Sequence, residues 1–178
     1  MERFEAEGSP ASWMSRAAYE VAGTPERVLA WASSQVGARE RGRNAGPEVD
    51  KYLAAAGLSP GYPWCAAFVA WCVKRVDNAL MPRNGRAAVF SWAKWAEDNG
   101  RLSQEPKRGD LFFWLDRQGF GHIGFVTSVL PGGLFMTIEG NTDEAGSREG
   151  VKVARRMRTV AGLKRNHRHG FIDLGEKA

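Results

Sequence analysis

The ten residues from Trp64 to Val73, WCAAFVAWCV, carry no charge, and the turn Pro60-Gly61-Tyr62-Pro63 runs straight into them. A helix that is apolar all round must be buried on every side by other elements. The rest of the chain therefore has to wrap this segment. At 178 residues and 43% hydrophobic content it is long enough to do so as one domain without metal or disulfide staples. The two cysteines, Cys65 and Cys72, both lie in the segment. At ~1.5 Å rise per residue their Cα atoms stand ~10 Å apart, so they are not expected to pair.

Upstream, residues 1–23 are weakly patterned, with a short helix expected around Trp13 to Tyr19. A domain is expected from Thr24 to the end. Thr24-Pro25-Glu26 reads as a helix start, with Thr24 as cap and Pro25 at the first helical position. Val28, Leu29, Trp31, Ala32 and Val36 form an apolar face, and Gly37 is a stop. After a polar loop from Arg39 to Pro47, a short helix is expected over Glu48 to Ala56, closed by Gly57. Ala88 to Glu97 reads as another amphipathic helix, with Phe90, Trp92, Ala93 and Trp95 inward.

After Pro106 the periodicity changes to two. Strands are expected over Asp110–Leu115, His122–Val129, Leu134–Asn141, Val151–Met157 and Gly170–Leu174. The turns between them are Gln118-Gly119, Pro131-Gly132-Gly133 and Glu144 to Gly146. Such short links predict an antiparallel meander, since parallel pairs need long crossovers. Helices first and a sheet afterwards is an α+β order.

Cys65 falls where the Pro-containing loop enters the buried helix, so unpaired N–H groups and the positive dipole end face its sulfur and favour the nucleophilic form. Cys72, two turns further in, reads as a buried small hydrophobe. Of three histidines, His167 and His169 lie in a basic run and read as surface residues, whereas His122 opens the strand GHIGFVTSV. The flanking Gly121 and Gly124 would leave room for a substrate backbone. Strand alternation puts Glu139 and Asn141 on one face of the next strand, where either could orient the imidazole. The carboxylate is favoured as the stronger partner for a cation.

The segments PWCAAFVAWC, RGDLFFW, GHIGFV and a strand ending in EGN, in this order from Val28 to Met157, resemble the CHAP family of cysteine, histidine-dependent amidohydrolases/peptidases. The resemblance implies a papain-like α+β fold, with N-terminal helices packed on an antiparallel five- to six-stranded sheet. It also implies hydrolysis of peptidoglycan amides, at the muramoyl–alanine bond or in stem peptides and cross-bridges. On the matching positions Cys65 is the nucleophile, His122 the base, and Glu139 and Asn141 the orienting groups. Many members carry Gln or Asp before the cysteine where this chain has Trp64. Tyr62 and Trp64 are therefore the candidates for the oxyanion or substrate contact.

No metal or other cofactor is expected, because two cysteines and three histidines at these spacings match no zinc pattern and Asp143-Glu144 is too short for a calcium loop. No run reaches the ~18 apolar residues of a membrane span, and the start MERFEAEGSPASW lacks the basic and apolar regions of a signal peptide. The expectation is a monomer that reaches the cell wall or periplasm by release or injection, as a phage lysin or an effector. The net charge of +5 is uneven. Arg148 to Arg168 holds eight Lys and Arg against one Glu, a stretch suited to an anionic wall polymer. It contains no nucleic-acid motif, so no nucleic-acid partner is expected. The alternative to an enzyme is a glycan-binding module using the seven tryptophans. Against it, Trp31, Trp71, Trp92 and Trp95 sit at apolar helical positions.

Overall fold

The computed structural model describes residues 9–142 and 150–175. After a 3-10 turn at Pro10–Ser12 come α1 (Arg16–Val21), α2 (Thr24–Ser34), α3 (Pro47–Ala55), α4 (Cys65–Lys74) and α5 (Val89–Asp98). The strands are β1 (Leu102–Ser103), β2 (Leu111–Leu115), β3 (Gly121–Leu130), β4 (Leu134–Thr142), β5 (Lys152–Thr159) and β6 (Arg168–Ile172), with a one-turn α6 (Val160–Leu163) before the last. This is the expected α+β fold. The expected turn at Glu144 to Gly146 and the Asp143-Glu144 pair lie outside the described residues.

Every residue of α4 from Cys65 to Val73 is buried, as a charge-free sequence requires. The helix packs on β3 and β4 and is walled by α2 and α3. Tyr52 of α3 anchors one wall, with ring centroids 5.1 Å from Phe68 and 5.2 Å from Trp71. On the sheet side Phe68 meets Phe125 edge to face at 5.8 Å. Each such buried aromatic stabilises the fold by about 1.5–3 kcal/mol through area removed from water. The helix comes close against the sheet at Gly140. A Cβ there would stand 2.8 Å from Phe68 Cβ and from Trp64 Cζ3. Gly140→Ala is accordingly expected to cost about 1–3 kcal/mol in denaturant unfolding, the range for overpacking a core. An unchanged midpoint would show that the contact yields without strain.

The sheet order is β1-β6-β2-β3-β4-β5, antiparallel at every pairing. Strands β2 to β5 form the expected meander, but β6 departs from it, returning past β4 and β3 to pair with β2. The face away from α4 holds a second core of Phe112, Val126, Phe135, Leu163 and Phe171. Leu163 comes from α6, so the short helix in the β5–β6 link covers this face.

Local expectations failed where one residue had two possible roles. Gly23 occupies the cap position of α2, and Thr24 lies inside the helix without a side-chain cap bond. Phe90 is half exposed, although Trp92 and Ala93 beside it are fully buried. The helix near the N-terminus begins later than expected, at Arg16, because Ser15 caps it by accepting from the Ala18 N–H at 3.2 Å.

Candidate active site

Cys65 is the first residue of α4, and Trp64 occupies the cap position without a side-chain cap bond. The first-turn N–H groups, which have no carbonyl of their own to bond, are thus left uncapped at the sulfur's end of the helix. His122 stands near the start of β3. Its Nε2 is 2.8 Å from Glu139 Oε2 on β4. The Cys65 sulfur lies near enough to act on the ring's charge, although Nδ1 has no partner within hydrogen-bond geometry. With Nε2 taken by Glu139, Nδ1 is the nitrogen left for the sulfur. Cys65 is 6% exposed and His122 and Glu139 are 0%, so these charges interact in a poorly screened interior.

Burial alone would lower the pKa of His122, but the Cys65 sulfur and the Glu139 carboxylate outweigh it and raise the pKa to about 9. Burial alone would likewise raise that of Glu139, but Arg158 and His122 bring it down to about 2. The imidazole is thus held as a cation and the carboxyl as an anion across the neutral range. Cys72 has the opposite environment. Complete burial pushes its thiol well above the ordinary range despite Arg75 and Lys51 nearby. Both cysteines are free thiols.

Asn141 does not join the imidazole. Pairing of β4 with β5 slips between Glu139 and Thr142, and Asn141 takes φ +55°, in the left-handed region. The strict alternation that would have carried Asn141 onto the same face as Glu139 is interrupted there. Trp64 is also withdrawn from the role expected of it. It is fully buried, stacks on Tyr52 at 5.6 Å, and its indole N–H donates to Glu40 Oε2 at 3.2 Å. Tyr62, by contrast, is 54% exposed on the loop that enters α4.

The glycines beside His122 answer to packing within the protein. A Cβ on Gly121 would meet the Trp114 carbonyl oxygen at 2.1 Å. One on Gly124 would meet Phe112 Cε1 at 2.8 Å and Glu139 Cγ at 2.9 Å. Gly124 therefore makes room for the Glu139 side chain that reaches the imidazole.

Two partners of Glu139 escaped the sequence reading. Thr137 Oγ1 donates to Oε1 at 2.5 Å, and the Arg158 fork donates from Nε to Oε1 at 2.7 Å and from an Nη to Oε2 at 2.5 Å. Arg158 lies in the run RRMR of β5, whose alternation is the reverse of the usual one. Met157 is 62% exposed while Arg156 and Arg158 are half-buried. Hydropathy pointed the wrong way there, although alternation from the buried Val153 and Ala154 onward was a usable signal. The same region does not form one free basic surface. Arg155 lies over Trp13 at 4.9 Å, Arg168 pairs with Glu97 at 3.0 Å, and Arg158 is turned to Glu139. Arg148 lies outside the described residues.

The family model of the CHAP domain matches residues 57–141, the stretch from the loop before α4 to Asn141. That stretch, a little under half of the chain, is what is similar to the CHAP domain, and it contains Cys65, His122 and Glu139. Among solved structures, a crystal structure of an N-acetylmuramoyl-L-alanine amidase from Staphylococcus aureus is similar at 18% identity and a TM-score of 0.45, covering 66% of this chain and 32% of the amidase. The chain thus corresponds to about a third of that protein's length. No curated protein sequence is similar enough to count as a relative.

Proposed function

We propose that the chain hydrolyses amide bonds of peptidoglycan by a thiol mechanism. The observation that supports this best is the imidazole anchored through Nε2 on a buried carboxylate, with its other nitrogen left to a cysteine at an uncapped helix start. In this reading Cys65 and His122 rest as an ion pair. The sulfur attacks the amide carbonyl and its electron pair forms the C–S bond, while the carbonyl oxygen becomes an oxyanion facing the first N–H groups of α4. The imidazolium gives its proton to the nitrogen as the C–N bond breaks, and the amine leaves. Water, losing a proton to the now neutral imidazole, then cleaves the thioester and restores the pair. Glu139 holds the ring and its charge throughout, and Tyr62, exposed on the loop that enters α4, is the candidate substrate contact. The setting we propose is the bacterial cell wall, reached by release or injection.

Digestion of purified peptidoglycan should release new amino groups and no new reducing sugar ends. Mass spectrometry of the fragments would identify the bond. Reducing ends without amines would indicate a glycosidase, and binding without any release would indicate a glycan-binding module. Turnover should also persist in EDTA, since no group of three or more His, Cys, Asp or Glu among the described residues could hold a metal ion. Inhibition by EDTA that a divalent ion reverses would overturn the metal-free mechanism. Among the described residues no helix is long and apolar enough to cross a membrane.

A further inference from the structure

We infer that Arg158 is a positioning residue of this site, a guanidinium clamp that keeps Glu139 ionised and leaves the shared proton on His122. The inference rests on the functional reading above and adds a residue outside the matched CHAP stretch, which ends at position 141. Its basis is one oxygen with two cationic partners. Glu139 Oε2 lies 2.8 Å from His122 Nε2 and 2.5 Å from an Arg158 Nη, so the two cations are no more than about 5 Å apart. The second carboxylate oxygen is held by Arg158 Nε and by Thr137. Both oxygens of a fully buried carboxylate are thereby fixed, and a bidentate fork sets its plane as well as its distance.

The clamp is itself held in place. Its guanidinium carbon lies 5.3 Å from the Phe112 ring centroid, and Phe112 packs on Phe135 at 5.9 Å. Only 19% of the Arg158 side chain is exposed, along an open cavity of about 390 Å³ that Trp114, Met157 and Asn166 also line.

The chemical consequence follows from counting charge. A buried carboxylate beside an imidazole could take the proton and leave both groups neutral, which would remove the acid needed for the departing amine. A permanent cation on the carboxylate makes that transfer costly, because arginine does not release its proton. The same cation also repels the imidazolium across about 5 Å. Arg158 therefore ensures that Glu139 is charged while moderating how tightly His122 holds its proton.

The test is the titration of the His122 ring by NMR, in parallel with the pH dependence of Cys65 alkylation, in the full chain and two variants. Removing a cation strengthens every proton bound nearby, so in Arg158→Met the His122 midpoint should rise, by roughly one pH unit or more for a charge this close. The upper limb of the alkylation profile should rise with it. Arg158→Lys keeps the charge and loses the fork. It should restore the midpoint while hydrolysis stays below the original rate. A merely structural arginine predicts the reverse sign, because a loosened site would let His122 fall toward its ordinary value. A His122 midpoint that falls or stays put in Arg158→Met while the Glu139 carboxyl, followed in the same spectra, remains ionised overturns the clamp, whereas a fall accompanied by protonation of Glu139 is the transfer the clamp prevents. The functional reading is judged separately, by whether His122→Ala abolishes amine release from peptidoglycan, a result that does not affect the direction of the ring titration.

Discussion

Cys65→Ala is expected to reduce amide hydrolysis by roughly 10⁴-fold or more while the protein stays folded, the scale seen when a nucleophile that works as part of a unit is removed. Cys72→Ala is expected to keep turnover and to lose about 1 kcal/mol or more of stability. The two cysteines sit two turns apart on one helix, so the contrast separates position from residue type. Cys65 has the uncapped helix start and His122 beside it. Cys72 is completely buried, with its thiol pushed well above the ordinary range. A small alkylating reagent should therefore label Cys65 and spare Cys72, and hydrolysis should fall in step with labelling. Retained activity in Cys65→Ala, or its loss in a well-folded Cys72→Ala, would remove the nucleophile assignment.

Glu139→Gln carries the second large effect, an expected fall of about 10²–10⁴-fold, the usual contribution of an acid–base system. Glutamine can still accept a hydrogen bond from the ring but no longer stabilises its charge. The sign is fixed because the carboxylate acts with the Cys65 sulfur to raise the imidazole's pKa to about 9. Without that anion, burial and Arg158 both disfavour the cation, so the upper limb of the pH–rate profile should move down. This direction is opposite to that expected for Arg158→Met, which makes the pair of variants a check on the whole arrangement. Asn141 makes no bond to the ring, and its loss should cost only the ~0.5–1.5 kcal/mol typical of one neutral hydrogen bond. Because Asn141 sits at φ +55°, alanine would add backbone strain there, and Asn141→Gly is the cleaner comparison. An Asn141 variant more damaging than Glu139→Gln, together with an unmoved upper limb in the latter, would return the orienting role to the amide.

Much of the helical layer could be read residue by residue because its signals are local. The charge-free run at Trp64 to Val73 demands burial whatever surrounds it, and Gly57 at φ +80° closes α3 where expected, whereas α2 ends at Ser34, short of Gly37, and leaves Val36 exposed beyond it. The strands of the meander were legible for the same reason, since period-two patterning and Gly/Pro turns are written within a few residues. The candidate residues Cys65, His122 and Glu139 emerged from residue chemistry placed at element starts and on strand faces. Alternation reached its limit at Asn141, where a slipped register and a left-handed backbone alter which side chain meets the ring.

By itself, then, the sequence determined a buried central helix with a cysteine at its start, a following antiparallel sheet, and a histidine strand beside a carboxylate strand. Each of these depends on interactions spanning a few residues and on the simple partition of apolar groups from water. Only the tertiary structure decided what surrounds the carboxylate. Arg158 reaches Glu139 from another strand, in a segment whose hydropathy is inverted, Thr137 turns its hydroxyl to the same group, and Gly124 leaves the space they share. It also decided that β6 pairs with β2 and that Trp64 is committed to the core. These outcomes are set by contacts between residues distant in the chain, where charge satisfaction and close packing are settled jointly and no local pattern records them.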